Sequence, residues 1–125
     1  MKKIDVYFLL LAAVMLLGGV LLGIHMAMSK DYQLVPVHAH ANLVGWASMA
    51  LFGLTYRAYP VLKEGSLTRV HFALAAASAI VMPYGIYRAV LLQSETLAII
   101  SSLAWLGAVV VYLVQLVGLL RQPAD

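Results

Sequence analysis

A chain of 125 residues that is 64% hydrophobic and 10% charged carries more apolar surface than one soluble core can bury. That balance excludes an ordinary water-soluble fold and predicts one membrane domain over 1–125. The net charge of +3 comes from Lys and Arg flanking apolar runs, with no basic helix face, so nucleic acid is excluded as a partner. The absence of cysteine excludes disulfides, thiolate iron–sulfur ligation, c-type heme attachment and catalytic thiols.

The first apolar run, about 7–28, has the roughly 20 residues that a spanning helix needs. Met1-Lys2-Lys3 resembles the start of a signal peptide, but the apolar part exceeds a usual h-region and no A-x-A site precedes Asp31. The run is therefore read as a helix. Gly19-Val20-Leu21-Leu22-Gly23 is a G-x-x-x-G that lets another backbone approach. His25 near its end is a metal-ligand candidate; its plainer reading is an interfacial polar residue.

The second run, about 37–59, opens with Val37-His38-Ala39-His40-Ala41-Asn42 and is stopped by Pro60. An ionisable residue at membrane depth is a functional hypothesis by default. On an ideal helix, residues two apart differ by roughly 200°, so His38 and His40 point to nearly opposite sides. His38, Asn42 and Gly45 share one stripe, and Gly45 removes a side chain roughly 10 Å from His38, which suits a flat ligand. Trp46 is predicted to pack inside the bundle. Tyr56, Arg57 and Tyr59 read as an interfacial belt.

A polar linker, 60–68, must lie outside lipid. The third run, about 67–92, opens with Arg69 and His71, carries small residues from Ala73 to Ala79 and is interrupted by Pro83, with Gly85 easing a bend. Beyond the kink, Tyr84, Tyr87 and Arg88 form either an interfacial belt or an anion clamp. The fourth run, about 96–120, has no ionisable residue before Arg121 and is read as structural.

Lys2, Lys3, Arg57, Lys63, Arg69 and Arg121 flank one side, against Lys30 and Arg88 on the other, so the positive-inside rule predicts cytoplasmic termini. His25, His38 and His40 then lie near the outer face. His71, on the other side of roughly 30 Å of hydrocarbon, gets a structural or interfacial reading. The predicted fold is an all-α membrane protein, a four-transmembrane-helix bundle.

Imidazole ligates heme iron, copper and zinc alike. A heme wants axial nitrogens, apolar walls and cations or phenols for its propionates, which His38 or His40, Gly45, and Arg88 with Tyr84 or Tyr87 can supply. The alternative is a copper-binding or copper-delivery protein using His25, His38 and Met26 or Met28, although divergent histidines disfavour one small-ion site. A cofactor-free structural subunit is a third reading, whereas a transporter lacks its midplane polar site. With every Asp and Glu near an end or loop, no carboxylate chain for a proton pump exists. No hydrolase or nucleotide motif occurs either.

The stretch HAHANLVGWASMALFGLTYRAYP, about 23 residues, resembles the histidine-bearing helices of the heme-copper oxidase superfamily, subunit I of terminal oxidases and nitric oxide reductases. It looks closest to small four-helix relatives of that subunit. There a His-x-His pair on one helix ligates two hemes from its two faces, and His38-Ala39-His40 matches that pair. The resemblance implies heme b, electron transfer or binding of a small gas, and a bacterial inner membrane location. It also implies a redox partner or respiratory subunit. Because subunit I has twelve helices in three groups of four, it further implies a cyclic homo-oligomer, a homotrimer first, with His38 and His40 at subunit interfaces. The chain lacks the superfamily's copper-binding histidines with their tyrosine, so the resemblance does not extend to oxygen reduction, and whether the chain is an enzyme stays open.

Overall fold

The computed structural model describes residues 2–121, so Met1 and residues 122–125 of the expected domain lie outside it. Among the described residues the regular elements are all helical, with no strand. Helix α1 is Ile4–Ser29, α4 is Leu67–Leu92 and α5 is Thr96–Leu119; these three are long and apolar enough to cross a membrane. Between α1 and α4 the chain forms α2 (Val35–His40), a π-helical segment (Ala41–Ser48) and α3 (Met49–Ala58). Ala41, Ser48 and Met49 at the joints all hold right-handed helical dihedrals, so these pieces form one continuous rod.

The boundaries follow local chemistry. Pro36 sits in the first turn of α2, where its missing N–H costs nothing, so this helix starts two residues before the expected 37. Tyr59, expected inside it, has left the helical conformation (φ −120°, ψ 78°) because it precedes Pro60. Lys30 and Gln93 end α1 and α4 in the left-handed conformation (φ 53° and 51°). Pro83 lies within an unbroken α4, which corrects the expected interruption. At Gly85 a Cβ would stand 2.6 Å from the Ala98 backbone nitrogen, so glycine lets α5 cross α4 closely.

The elements pack as two antiparallel pairs, α1 with the rod and α4 with α5. The α1 seam is built from glycines on both sides. A Cβ on Gly45 would meet Met15 at 2.6 Å, and one on Gly53 would meet Leu9 at 2.9 Å; Gly19 and Gly23 play the same part from α1. Small residues let helices approach where lipid offers no hydrophobic drive between them.

The hydrophobic core lies toward the end that holds both termini. Phe8 is the hub: it stacks on Tyr56 at 5.5 Å and meets Phe72 edge-on at 4.9 Å and Phe52 edge-on at 5.8 Å. Tyr56 is therefore fully buried and not part of an interfacial belt, unlike Arg57 and Tyr59 beside it, which are exposed. Trp46, expected inside the bundle, is 41% exposed. Trp105 packs against the core instead, 5.8 Å from Phe52. The linker also folds back. Pro60–Glu64 is a 3-10 turn whose Leu62 is buried, and its Lys63 reaches the buried Asp5 carboxylate at 2.8 Å, with Arg57 at 3.1 Å on the same oxygen.

Candidate functional site

At the end away from the termini, His38 and His40 share one arrangement. The Nδ1 of His38 lies 2.9 Å from the Gly19 carbonyl oxygen on α1, and the Nδ1 of His40 lies 2.8 Å from the Pro36 carbonyl oxygen one turn back. A carbonyl oxygen only accepts, so each Nδ1 carries a hydrogen, and in the neutral ring the lone pair is then on Nε2. This is the form that binds a metal through Nε2, with the other ring nitrogen held by a backbone oxygen. The donor set therefore fits axial ligation of heme iron. His38 is half-buried against α1 and His40 is exposed.

The stripe of His38, Asn42 and Gly45 exists, but α1 lies on it. Asn42 donates from Nδ2 to the His38 carbonyl at 2.8 Å and sits against Gly19, while the space above Gly45 holds the Met15 side chain. Asn42 and Gly45 thus belong to the helix seam and do not line a slot for a flat ligand, which corrects that expectation. The π segment begins directly after His40, and Ser48 donates to the carbonyl of Leu43, five residues back, at 2.8 Å. Such widened turns recur at functional sites.

The remaining candidates are scattered around this end. His25 is exposed on α1. Met26 is buried while Met28 is 81% exposed, so the two methionines of the copper alternative face different surroundings. Among the described residues no three His, Asp or Glu side chains come together as a metal cluster. Tyr84 and Tyr87 stack with centroids 6.3 Å apart on the exposed side of α4, and Arg88 makes no ion pair among the described residues.

At the opposite end is a polar network that the sequence did not reveal. Thr68 donates its hydroxyl to the Leu62 carbonyl, so it must accept from Gln115 Nε2, at 3.3 Å. That orients the Gln115 amide with Oε1 toward Tyr56, which donates to it at 2.8 Å. Tyr56 then accepts from His71 Nδ1 at 2.8 Å. One backbone carbonyl thereby sets every proton in the chain and fixes His71 as the Nδ1–H form. His71 has no exposed surface, and its Nε2 has no partner among the described residues. Its ring is enclosed by Phe52 at 4.6 Å, Phe8 at 5.2 Å and Tyr112 at 5.4 Å. The interfacial alternative for His71 is therefore replaced by a core position. Gln115, an amide within the apolar fourth run, was the available signal: a polar group there needs a buried partner.

No protein-family model, no curated protein and no solved structure matches this chain.

Proposed function

We propose that this chain is a heme-b-binding integral membrane protein related to heme-copper oxidase subunit I. In this reading the composite rod is a fourth span, and the Nε2 atoms of His38 and His40 would hold the heme iron. The observation that carries it is the pair of backbone tethers, Nδ1 to the Gly19 carbonyl and Nδ1 to the Pro36 carbonyl, which leave a basic Nε2 on each of two histidines. These histidines leave one helix on opposite sides, so they suit two planar cofactors, or one shared between chains, better than a single small ion. The resemblance of the His-x-His stretch to the superfamily points the same way.

Bound heme would supply reversible one-electron chemistry or capture of a small gas. The protein's own part is to present the ligand nitrogens and to exclude water with the apolar helices. Arg88, with Tyr84 and Tyr87 beside it, offers a cation and phenols at the same end for carboxylates. Because His40 is exposed from its own chain, its ligand site is completed by a second copy. A cyclic trimer, with cytoplasmic termini in a bacterial inner membrane, rebuilds a twelve-helix plan.

Visible spectra of the purified protein, oxidised and reduced, test the reading. The expected result is a low-spin b-type spectrum that His38→Ala and His40→Ala each abolish. A heme spectrum that survives both substitutions together refutes the ligand assignment, and a heme-loaded monomer refutes the shared interface.

A further inference from the structure

The two histidines are tethered differently. His40 is held by its own helix, through the Pro36 carbonyl four residues back, and asks nothing of the rest of the fold. His38 is held by α1. Its Nδ1–H reaches the Gly19 carbonyl at 2.9 Å, and its ring lies where the side chain of residue 23 would otherwise be. A Cβ on Gly23 would stand 3.0 Å from His38 Cε1 and 3.4 Å from Nδ1, closer than the roughly 3.5–4.0 Å of ordinary carbon contacts. A Cβ on Gly19 would stand 2.4 Å from the Asn42 amide nitrogen, which itself donates to the His38 carbonyl. Gly19 and Gly23 are one helical turn apart on the same face, so together they make a seat with a floor and an acceptor. The Asn42 amide nitrogen also lies 3.4 Å from His38 Nδ1, but it makes its shorter bond, 2.8 Å, to the His38 carbonyl, and the Gly19 carbonyl at 2.9 Å is the nearer partner of Nδ1.

We propose that Gly19 and Gly23 are positioning residues that lock His38 as its Nδ1–H tautomer and keep Nε2 the basic nitrogen. On this view the G-x-x-x-G of α1 does more than pack helices: it sets the protonation pattern and ring orientation of one imidazole. The consequence for heme rests on the reading of His38 as a ligand, whereas the tautomer lock belongs to the chain itself.

The test is solid-state nitrogen NMR of the full chain, labelled at histidine and reconstituted in lipid bilayers, with His38 assigned by the signals that His38→Gln removes. The wild type is expected to show His38 with a protonated Nδ1 and a bare Nε2, and a short distance between Nδ1 and the Gly19 carbonyl carbon. Gly23→Ala is expected to remove that signal pair in favour of the Nε2–H form or a mixture. Gly18→Ala, whose Cβ would meet nothing within 4 Å, is expected to leave it unchanged. His71, whose Nδ1–H depends on Tyr56 and Gln115 from two other helices, reports that each variant is folded. A wild-type His38 protonated at Nε2 overturns the proposal without recourse to any variant, as does a folded Gly23→Ala with wild-type His38 signals. Adding hemin to the wild type separates the two claims. A locked tautomer without a Soret band refutes heme binding and leaves the seat intact, while a Soret band with an unlocked tautomer does the reverse.

Discussion

The two ends of the bundle spend their polar groups in opposite ways. At the terminal end His71, Tyr56, Gln115 and Thr68 satisfy one another in a chain that stops on the Leu62 carbonyl, inside a shell of aromatic rings. At the other end His38 and His40 each use one nitrogen on a backbone carbonyl and keep the other in reserve. A histidine whose bonds close on the core specifies the fold; a histidine whose bond merely orients it is available for binding. The contrast can be broken by substitution, because the first end should govern stability and the second cofactor occupancy.

The largest effect is expected at the hub of the terminal end. Phe8→Ala removes a ring that contacts Phe52, Tyr56, His71 and Phe72, and on the scale of soluble cores such a truncation costs roughly 3–5 kcal/mol. Thermal unfolding in detergent measures it. Any heme bound by the folded fraction should keep its spectrum, and a spectral change without a stability loss would reverse the assignment of the two ends.

Next is Gln115→Leu, which keeps the volume but removes the Tyr56 acceptor and the donor to Thr68. Orphaning buried polar groups costs about 1–3 kcal/mol, whereas removing both partners of a bond can be nearly neutral. The double variant Gln115→Leu with Tyr56→Phe should therefore lose less than the sum of its singles. A double-mutant cycle in the same unfolding assay reads that coupling, and strict additivity would mean the network is not connected as described.

Why one end was legible in the sequence and the other was not has a physical basis. Helix lengths and ends are written in runs of apolar residues and in Pro36 and Pro60, so the third helix falls on 67–92 as expected and the others within a few residues. Those runs are long enough to cross a membrane in α1, α4 and α5. The stripe of His38, Asn42 and Gly45 was also legible, because spacing sets which side chains share a face. What covers that face was not, since phase carries no information about the neighbour: Met15 and Gly19 occupy it. Trp46 was placed by depth, which says nothing about direction around the helix. The π segment carries no sequence signature. The His71 network draws partners from α3, α4, α5 and the linker, so no single run displays it, and a lone histidine near a helix start reads as interfacial.

A smaller effect on the fold, and a measurable one on heme if the proposed heme binds, is expected from Arg88→Gln. Arg88 has no ion pair among the described residues, so a propionate carboxylate at this end would be its natural counter-charge. Removing a nearby cation disfavours the reduced, less positive iron. The midpoint potential should therefore fall, and heme should be retained less firmly. A potentiometric titration checks this, and an unchanged potential with full occupancy would make Arg88 an interfacial cation only.

The smallest effect on folding is expected where the effect on function is greatest. His40 is exposed and its only bond is local, so His40→Ala should change the unfolding free energy of the chain by no more than about 0.5 kcal/mol. His38→Ala should cost more, roughly 0.5–1.5 kcal/mol, because it removes a hydrogen bond that crosses to α1. Both should abolish the low-spin heme spectrum. A cofactor bound only by the assembled state stabilises that state by mass action, so loss of heme in His40→Ala should also lower the mass measured in detergent toward that of one chain. The order of the two stability losses follows from the tethers alone and holds without any cofactor. If His40→Ala proves the more destabilising, the distinction between an imidazole seated by α1 and one held by its own helix fails.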